Sequence, residues 1–225
     1  MKKTLPEINK KWADRFLLID GNSIDGTAEY ARQMGWDVLV QSRPGVRHAY
    51  NEAFATIDTD LVLIWSPDGN APATDIPRLL EKIQEGYDVV IASRYYGEAL
   101  SEDDTFISKW ANFIFTKTIN ILFGGNLKDA MTNYRIFYTK IYYDLALDDG
   151  TAYAPYEKIV FLNDGGLGVE PLFSARLLLN KYKVAEIASH EPSRVSGVAK
   201  FPKVRGGIGY CFQLLVERLS PHRVG

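Results

Sequence analysis

Short apolar runs, each cut off by turn-forming polar residues, punctuate the first hundred positions and alternate with segments of helical character. Residues 16–19 (Phe-Leu-Leu-Ile) end in Asp20-Gly21-Asn22-Ser23, and residues 36–40 end in Gln41-Ser42-Arg43. Residues 61–65 (Leu-Val-Leu-Ile-Trp) end in Ser66-Pro67-Asp68-Gly69-Asn70, and Val89-Val90-Ile91-Ala92 ends in Ser93-Arg94. A strand that is apolar throughout has no wet face, so it must be covered on both sides. Helical segments over 27–34, 46–54 and 76–85 supply that cover; the last places apolar residues at 76, 79, 80 and 83, one face of a helix. The alternation predicts an α/β fold with a mostly parallel sheet flanked by helices.

The second half reads differently. A long helix is expected over 108–123, with Trp110, Phe113, Ile114, Ile121 and Leu122 on one side. A strand follows near 136–138, then a helix over 170–180 and a strand over 184–188. Residues 190–207 are rich in Gly, Pro, Ser, Arg and Lys and read as a loop. A terminal helix over 208–219 has a mixed face, with Tyr210, Phe212, Leu215 and Leu219 beside Glu217 and Arg218. It fits core packing, with a membrane surface or a second subunit (a homodimer) as alternatives. No repeat or linker interrupts the chain, so one domain is expected over 1–225.

Bulk properties narrow the classes. With 46% apolar and 24% charged residues the chain is that of a soluble globular protein. A net charge of −2 argues against a nucleic-acid binder. The single cysteine, Cys211, excludes an intrachain disulfide and fits a reducing compartment; between Tyr210 and Phe212 it reads as a buried small hydrophobe. No apolar run reaches the roughly 18 residues that span a bilayer. The basic start, Met1-Lys2-Lys3, lacks the apolar stretch of a signal peptide. These features point to the cytoplasm, with peripheral contact at the inner face of a membrane left open.

In open α/β sheets ligands bind at the carboxyl ends of strands, so the candidate groups are those that end the apolar runs. Asp20 and Asn22 are placed to meet a ribose or a base edge, although the same residues suit a tight turn and a helix cap. Gly45 allows backbone to approach a phosphate, and Arg43 and Arg47 carry neutralising charge; a solvated basic loop is the alternative. Asp68 and Asn70 stand two apart, which in an extended stretch puts both side chains on one side. Two such oxygens, with diphosphate and water, suit Mg²⁺ or Mn²⁺. Pro-Asp-Gly-Asn is equally a good β-turn. Arg94 either faces the same edge or is a surface residue, and Arg194, Lys200, Lys203 and Arg205 give the late loop the charge of a phosphate-closing lid or of a plain solvated loop.

The order of these pieces is more specific than any one of them. DGNSIDGT (20–27), RPGVRHAYNEAF (43–54), SPDGN (66–70), ASRYYG (92–97) and DAMTNYRIF (129–137) follow one another as five blocks. In this the chain resembles the family 2 glycosyltransferases with the GT-A fold, and within them the dolichol-phosphate mannosyltransferase-like enzymes. The later RVSGVAK (194–200) is similar to the RxxGxSK segment of that group. The resemblance implies a Rossmann-like nucleotide-diphospho-sugar transferase, with a nucleotide-binding half over about 1–97 and an acceptor half with lid over about 98–225. It implies transfer of a sugar from a nucleotide-diphosphate donor to a lipid-phosphate or glycan acceptor, with inversion and with Mg²⁺ or Mn²⁺. Asp20 would contact the nucleoside, Asp68 and Asn70 the metal, and Arg194 and Lys200 phosphate. A lipid phosphate is already ionised near neutral pH and needs no strong base. A hydroxyl acceptor needs a carboxylate, for which Asp129, Glu170 and Asp164 are the candidates.

Three positions depart from the family pattern. The family opens with a strand bearing Pro-Xaa-Xaa-Asn-Glu, whereas this sequence begins at what reads as the following helix, residues 4–11. A sheet without that strand is expected to leave a central edge unpaired. Ser66 stands where the metal motif has its first acid, and Gly21 where the nucleoside block has its second. Two other readings follow: a nucleotide-sugar-binding protein with weak or no activity, and a nucleotidyltransferase. The latter calls for a Gly-rich, basic loop right after the first strand, which is not there.

Overall fold

The computed structural model of the chain describes residues 1–193 and 203–224. Strand β1 (Leu17–Asp20) pairs in parallel with β2 (Asp37–Val40), Leu17 opposite Asp37, through helix α1 (Thr27–Gln33). Gly26, at φ 78°, turns the chain into α1, and the Asp25 carboxylate accepts the Thr27 N–H at 3.1 Å. Helix α2 (Val46–Phe54) starts after Gly45. There φ is 115° and a Cβ would sit 2.6 Å from the Gly165 carbonyl oxygen, so only glycine fits.

The second sheet takes β3 (Leu61–Ile64), helix α3 (Ile76–Ile83), β4 (Val89–Ser93) and helix α4 (Phe106–Phe123). Strand β5 (Arg135–Tyr138) is followed by α5 (Lys140–Asp144), α6 (Ala154–Ile159) and α7 (Glu170–Leu179). Strand β6 (Val184–Ala188) and helix α8 (Lys203–Leu219) complete the described elements. Strand order is β3-β5-β4-β6; β5 is antiparallel to β3 and β4, while β4 and β6 are parallel. Three of the four strands therefore run one way, as a mostly parallel sheet requires, with β5 reversed between two of them.

Every residue of β4 is buried, and successive residues pack on opposite faces. Val89 and Ile91 join the cluster of Phe137, Ile119 and Leu172, while Val90 and Ala92 join Ile136, Leu79 and Ile83. Each enclosed side chain of this size contributes about 1.5–3 kcal/mol relative to exposure.

The β1–β2 ribbon makes no strand pairing with the larger sheet among the described residues, in line with an unpaired edge at that point. Side chains join the two: Trp36 and Trp65 have ring centroids 6.4 Å apart, and Leu5 is buried with Leu18 and Ala31. The helix expected over 4–11 is a single 3-10 turn, Leu5–Glu7. Extended backbone at Ile8 ends it, which lets Leu5 enter one cluster while Ile8 and Trp12 pack on another.

Two further expectations are corrected. The side of α4 bearing Trp110, Phe113, Ile114 and Ile121 faces outward, and Asn112, Thr116, Ile119 and Phe123 face in. Thr116 is drawn inward because its hydroxyl accepts the Ala130 N–H at 3.2 Å. On α8, Tyr210 and Leu214 are buried, but Phe212, Leu215, Leu219 and Cys211 are exposed. The helix also starts five residues earlier than the loop reading allowed, at Lys203.

Candidate functional site

Because β3, β4 and β6 run the same way and β5 runs back, their ends bring four segments to one edge: residues 65–72, 93–104, 129–134 and 189–193. The chain does not stay extended after β3. Gly69 has φ 95°, and the Asp68 carboxylate accepts the Asn70 N–H at 3.4 Å, an Asx turn. The Thr4 hydroxyl donates to the Pro67 carbonyl at 2.8 Å and pins the turn from outside.

Asn70 Nδ2 donates to Glu191 Oε1 at 3.1 Å. An amide whose nitrogen is bound to a carboxylate presents its oxygen the other way. Glu191 also accepts the Ser101 hydroxyl and lies 3.5 Å from the Arg94 guanidinium. Arg94 in turn grips Asp129 with two donors, Nε at 2.6 Å and Nη2 at 2.9 Å. It reaches Asp104 at 3.6 Å, and Asp104 accepts the Tyr95 hydroxyl. One charged network thus runs from the β3 turn to the segment before β5.

Asp129 is fully enclosed and also accepts the Arg94 and Met131 backbone N–H groups, each at 3.3 Å. Glu186 on β6 braces the same loop by accepting the Lys128 and Asp129 N–H groups at 2.8 and 3.0 Å. Burial pushes the Glu186 and Glu191 carboxyls up. Burial works against the Arg94 cation, but the charge and hydrogen bonds of Asp129, joined by Glu191, hold the guanidinium above its ordinary value.

The other predicted residues lie elsewhere. Asp20, at the end of β1, is buried and accepts the Ser23 N–H at 2.9 Å and its hydroxyl; Asn22 is exposed at φ 66°. Arg47 is 2% exposed, paired with Glu157 at 2.8 Å and Asp164 at 2.9 Å and lying 4.8 Å over the Tyr153 ring. Arg43 and His48 also meet Asp164. A cavity of about 370 Å³ borders this cluster. Another, of about 360 Å³, borders the sheet edge at Pro72, Glu98, Ala188 and His190.

Glu170 opens α7 inside the second half, where Tyr50 donates to it at 3.3 Å and burial raises its carboxyl. Its neighbour Arg135 is fully buried against the Phe173 ring at 5.0 Å. Glu170 therefore belongs to an internal cluster with Tyr50 and Arg135. Arg194 and Lys200 lie outside the described residues.

The edge thus gathers Asp68, Asn70, Arg94 and Asp129, and adds Glu191, Ser101 and Asp104, which sequence reasoning missed. The rule that found Asp68 applies to Glu191 as well, since it follows β6 at the same edge. Among the described residues no three His, Cys, Asp or Glu side chains converge as a metal cage. Asp68 and Asn70 offer two oxygens, which fit Mg²⁺ or Mn²⁺ only with diphosphate and water completing the shell.

Comparison with known proteins agrees with this architecture. The model of glycosyl transferase family 2 matches residues 9–146. Glycosyltransferase AglJ of Haloferax volcanii is 34% identical over 132 residues, 58% of this chain and 43% of that protein. Dolichyl-phosphate hexose transferase of the same organism is 27% identical over 189 residues, 84% of this chain and 74% of that protein. The chain thus spans less than half of the first relative and about three quarters of the second. Among solved structures, glucosyl-3-phosphoglycerate synthase from Mycobacterium tuberculosis, in complex with Mn²⁺ and UDP-glucose, superposes with a TM-score of 0.59. It is 14% identical and is matched over 96% of this chain and 73% of its own. That likeness carries the fold.

Proposed function

We propose, since this chain belongs to glycosyl transferase family 2, that it moves a hexose from a nucleoside-diphosphate sugar to a polyprenyl phosphate. Transfer is a single displacement that inverts the sugar carbon. The observation that carries the reading is the strand-edge network, in which Glu191 fixes the Asn70 amide beside Asp68 and Arg94 adds a cation. The nucleoside diphosphate must depart with negative charge, and fixed positive charge beside it lowers that barrier. A divalent ion held by Asp68, Asn70 and the diphosphate would supply this charge as a Lewis acid. With two protein oxygens, metal and nucleotide bind together rather than metal first.

The acceptor choice follows from which carboxylates are free to act. Asp129 is locked by Arg94, Glu170 faces Tyr50 in the interior, and Asp164 is held by Arg43, Arg47 and His48. A phosphate monoester, with a second pKa near 6, is already a nucleophile at neutral pH and asks for no base. The name of a relative covered over 74% of its length, a dolichyl-phosphate hexose transferase, supports the same acceptor. The neighbour in complex with Mn²⁺ and UDP-glucose supports the donor and metal class. Residues 1–97 form the donor half and residues 98–225 the acceptor half of one domain, with Arg194 and Lys200 binding donor phosphate.

A second reading rests on Ser66. With serine where an acid is expected, the protein binds nucleotide sugar but turns it over weakly or not at all. The two separate in one experiment. The protein is incubated with UDP- and GDP-hexoses, Mn²⁺ and a short polyprenyl phosphate, and products are weighed by mass spectrometry. A lipid phosphate heavier by one hexosyl residue, formed with release of the nucleoside diphosphate, supports transfer; no product from any donor that demonstrably binds sinks it.

A further inference from the structure

Among the described residues, more than half of the exposed large hydrophobic side chains, twelve of twenty-two, lie on just two helices, α4 and α8. On α4, Phe106, Trp110, Ile114 and Ile121 recur at helical spacing and are 51–79% exposed. On α8, Val204, Ile208, Phe212 and Leu219 do the same at 43–77%. Both helices pack on α7 and touch each other, Phe115 lying edge-on to Tyr210 with centroids 6.3 Å apart, so their outward faces adjoin. Scattered apolar residues need no explanation, but a continuous face of this extent marks a contact surface.

The charges decide what it contacts. Helix α4 contains no acid, and its exposed ions are Lys109 and Lys117. The one acid of α8, Glu217, is buried against Arg176 at 2.8 Å, while Arg205 and Arg218 are exposed. A two-fold contact with a second copy would lay this face on itself, cation against cation with no acid to answer. A surface of anionic lipid headgroups answers both components, since acyl chains take up Phe, Trp and Ile while phosphates take up Lys and Arg. Trp110 and Phe106 are of the type that sits at such a boundary. Lys117, 5.7 Å over the Phe113 ring, has the stem to reach past the apolar stripe to the headgroups.

We propose that the outward faces of α4 and α8 together dock this protein on an anionic lipid bilayer, the helices lying in the interface. Among the described residues no helix is long and apolar enough to cross a membrane, so the contact is lateral. It also lies next to the site. Asp104 of the Arg94 network is two residues from Phe106, and Thr105 caps α4 by accepting the Ser108 N–H at 3.2 Å. A bilayer under α4 brings headgroups to the edge where Arg94 and Glu191 stand. That last step rests on the lipid-phosphate acceptor proposed above; the docking does not.

The test is co-sedimentation of the whole chain with vesicles of phosphatidylcholine alone and of an equimolar mixture with phosphatidylglycerol. Binding is expected to the mixed vesicles and to be at least about tenfold weaker to the neutral ones, at roughly fivefold per cation. The double variant Phe106→Ser/Trp110→Ser, changed only at exposed positions, should bind mixed vesicles at least about tenfold more weakly. So should Lys109→Glu/Lys117→Glu. Protein that ignores mixed vesicles, or variants that bind like the parent, overturn the proposal. A parent that light scattering finds dimeric, and that the serine variant makes monomeric without any change in vesicle binding, overturns it too. UDP titration of each variant runs in parallel: lost vesicle binding with intact UDP binding supports docking through this face, whereas vesicle binding kept by variants whose UDP binding is intact contradicts docking and leaves the transferase reading standing.

Discussion

Removing the Asp129 carboxylate should cost stability before it costs chemistry. The group is fully enclosed, accepts two guanidinium donors at 2.6 and 2.9 Å, and accepts two backbone N–H groups at 3.3 Å. Breaking a buried pair by deleting one partner costs about 3–5 kcal/mol, because the remaining charge is left uncompensated. Here Arg94 keeps Glu191 at 3.5 Å and Asp104 at 3.6 Å, so the low end applies, about 3 kcal/mol for Asp129→Ala. In a domain of this size each kcal/mol moves the midpoint by about 2–4 °C, so the melt should fall by roughly 6–12 °C. Thermal unfolding followed by circular dichroism reads this directly, and added salt should change it little because the pair is shielded from ions. Asp129→Asn keeps the shape and should fall part of the way. If Asp129→Asn instead melts with the parent and abolishes turnover, Asp129 acts on substrate and the scaffold reasoning is wrong.

Other outcomes follow from the same contacts. Glu191→Ala frees the Asn70 amide and should weaken Mn²⁺-dependent nucleotide binding about tenfold, roughly the worth of one charge-assisted hydrogen bond. Glu191→Gln, which keeps an acceptor for Asn70, should restore most of it in Mn²⁺ titrations followed by electron paramagnetic resonance; equal losses in both would show that the charge, not the orientation, matters. Glu170 gives a pH signature. Burial raises its folded carboxyl above the ordinary value of 4.5, so its contribution is most favourable below that value and is lost as pH rises through the folded one. The parent should therefore lose stability relative to Glu170→Gln between acidic and neutral pH. Parallel melting curves across that range would place Glu170 in contact with water instead.

Much of the scaffold is legible locally. Helix α2 spans the positions its sequence indicates, and the uninterrupted run Val89-Val90-Ile91-Ala92 could only be a strand covered on both faces. What was not legible depends on partners distant in the chain. Arg47 reads as a phosphate ligand beside Gly45, yet Glu157 and Asp164, more than a hundred residues later, claim it. The apolar side of α4 reads as core, but Thr116 and Asn112 take the interior and leave Trp110 outside. Asp68 and Asn70 read as neighbours on an extended strand end; Gly69 turns them, and Glu191 sets the amide. The location of the site was readable because the end of an apolar strand is a local signal. Its wiring was not, because Arg94, Asp129 and Glu191 come from three different strand ends.

The central claim is that the turn after β3 holds a divalent ion on a nucleoside diphosphate. Calorimetric titration of the protein with UDP and with GDP, each with and without Mn²⁺, tests it most directly, alongside the Asp68→Ala variant. Binding of one nucleotide should require Mn²⁺, and Asp68→Ala should bind that nucleotide no better with the metal than without it. Binding that ignores Mn²⁺, or that survives Asp68→Ala with its metal dependence intact, would contradict the account.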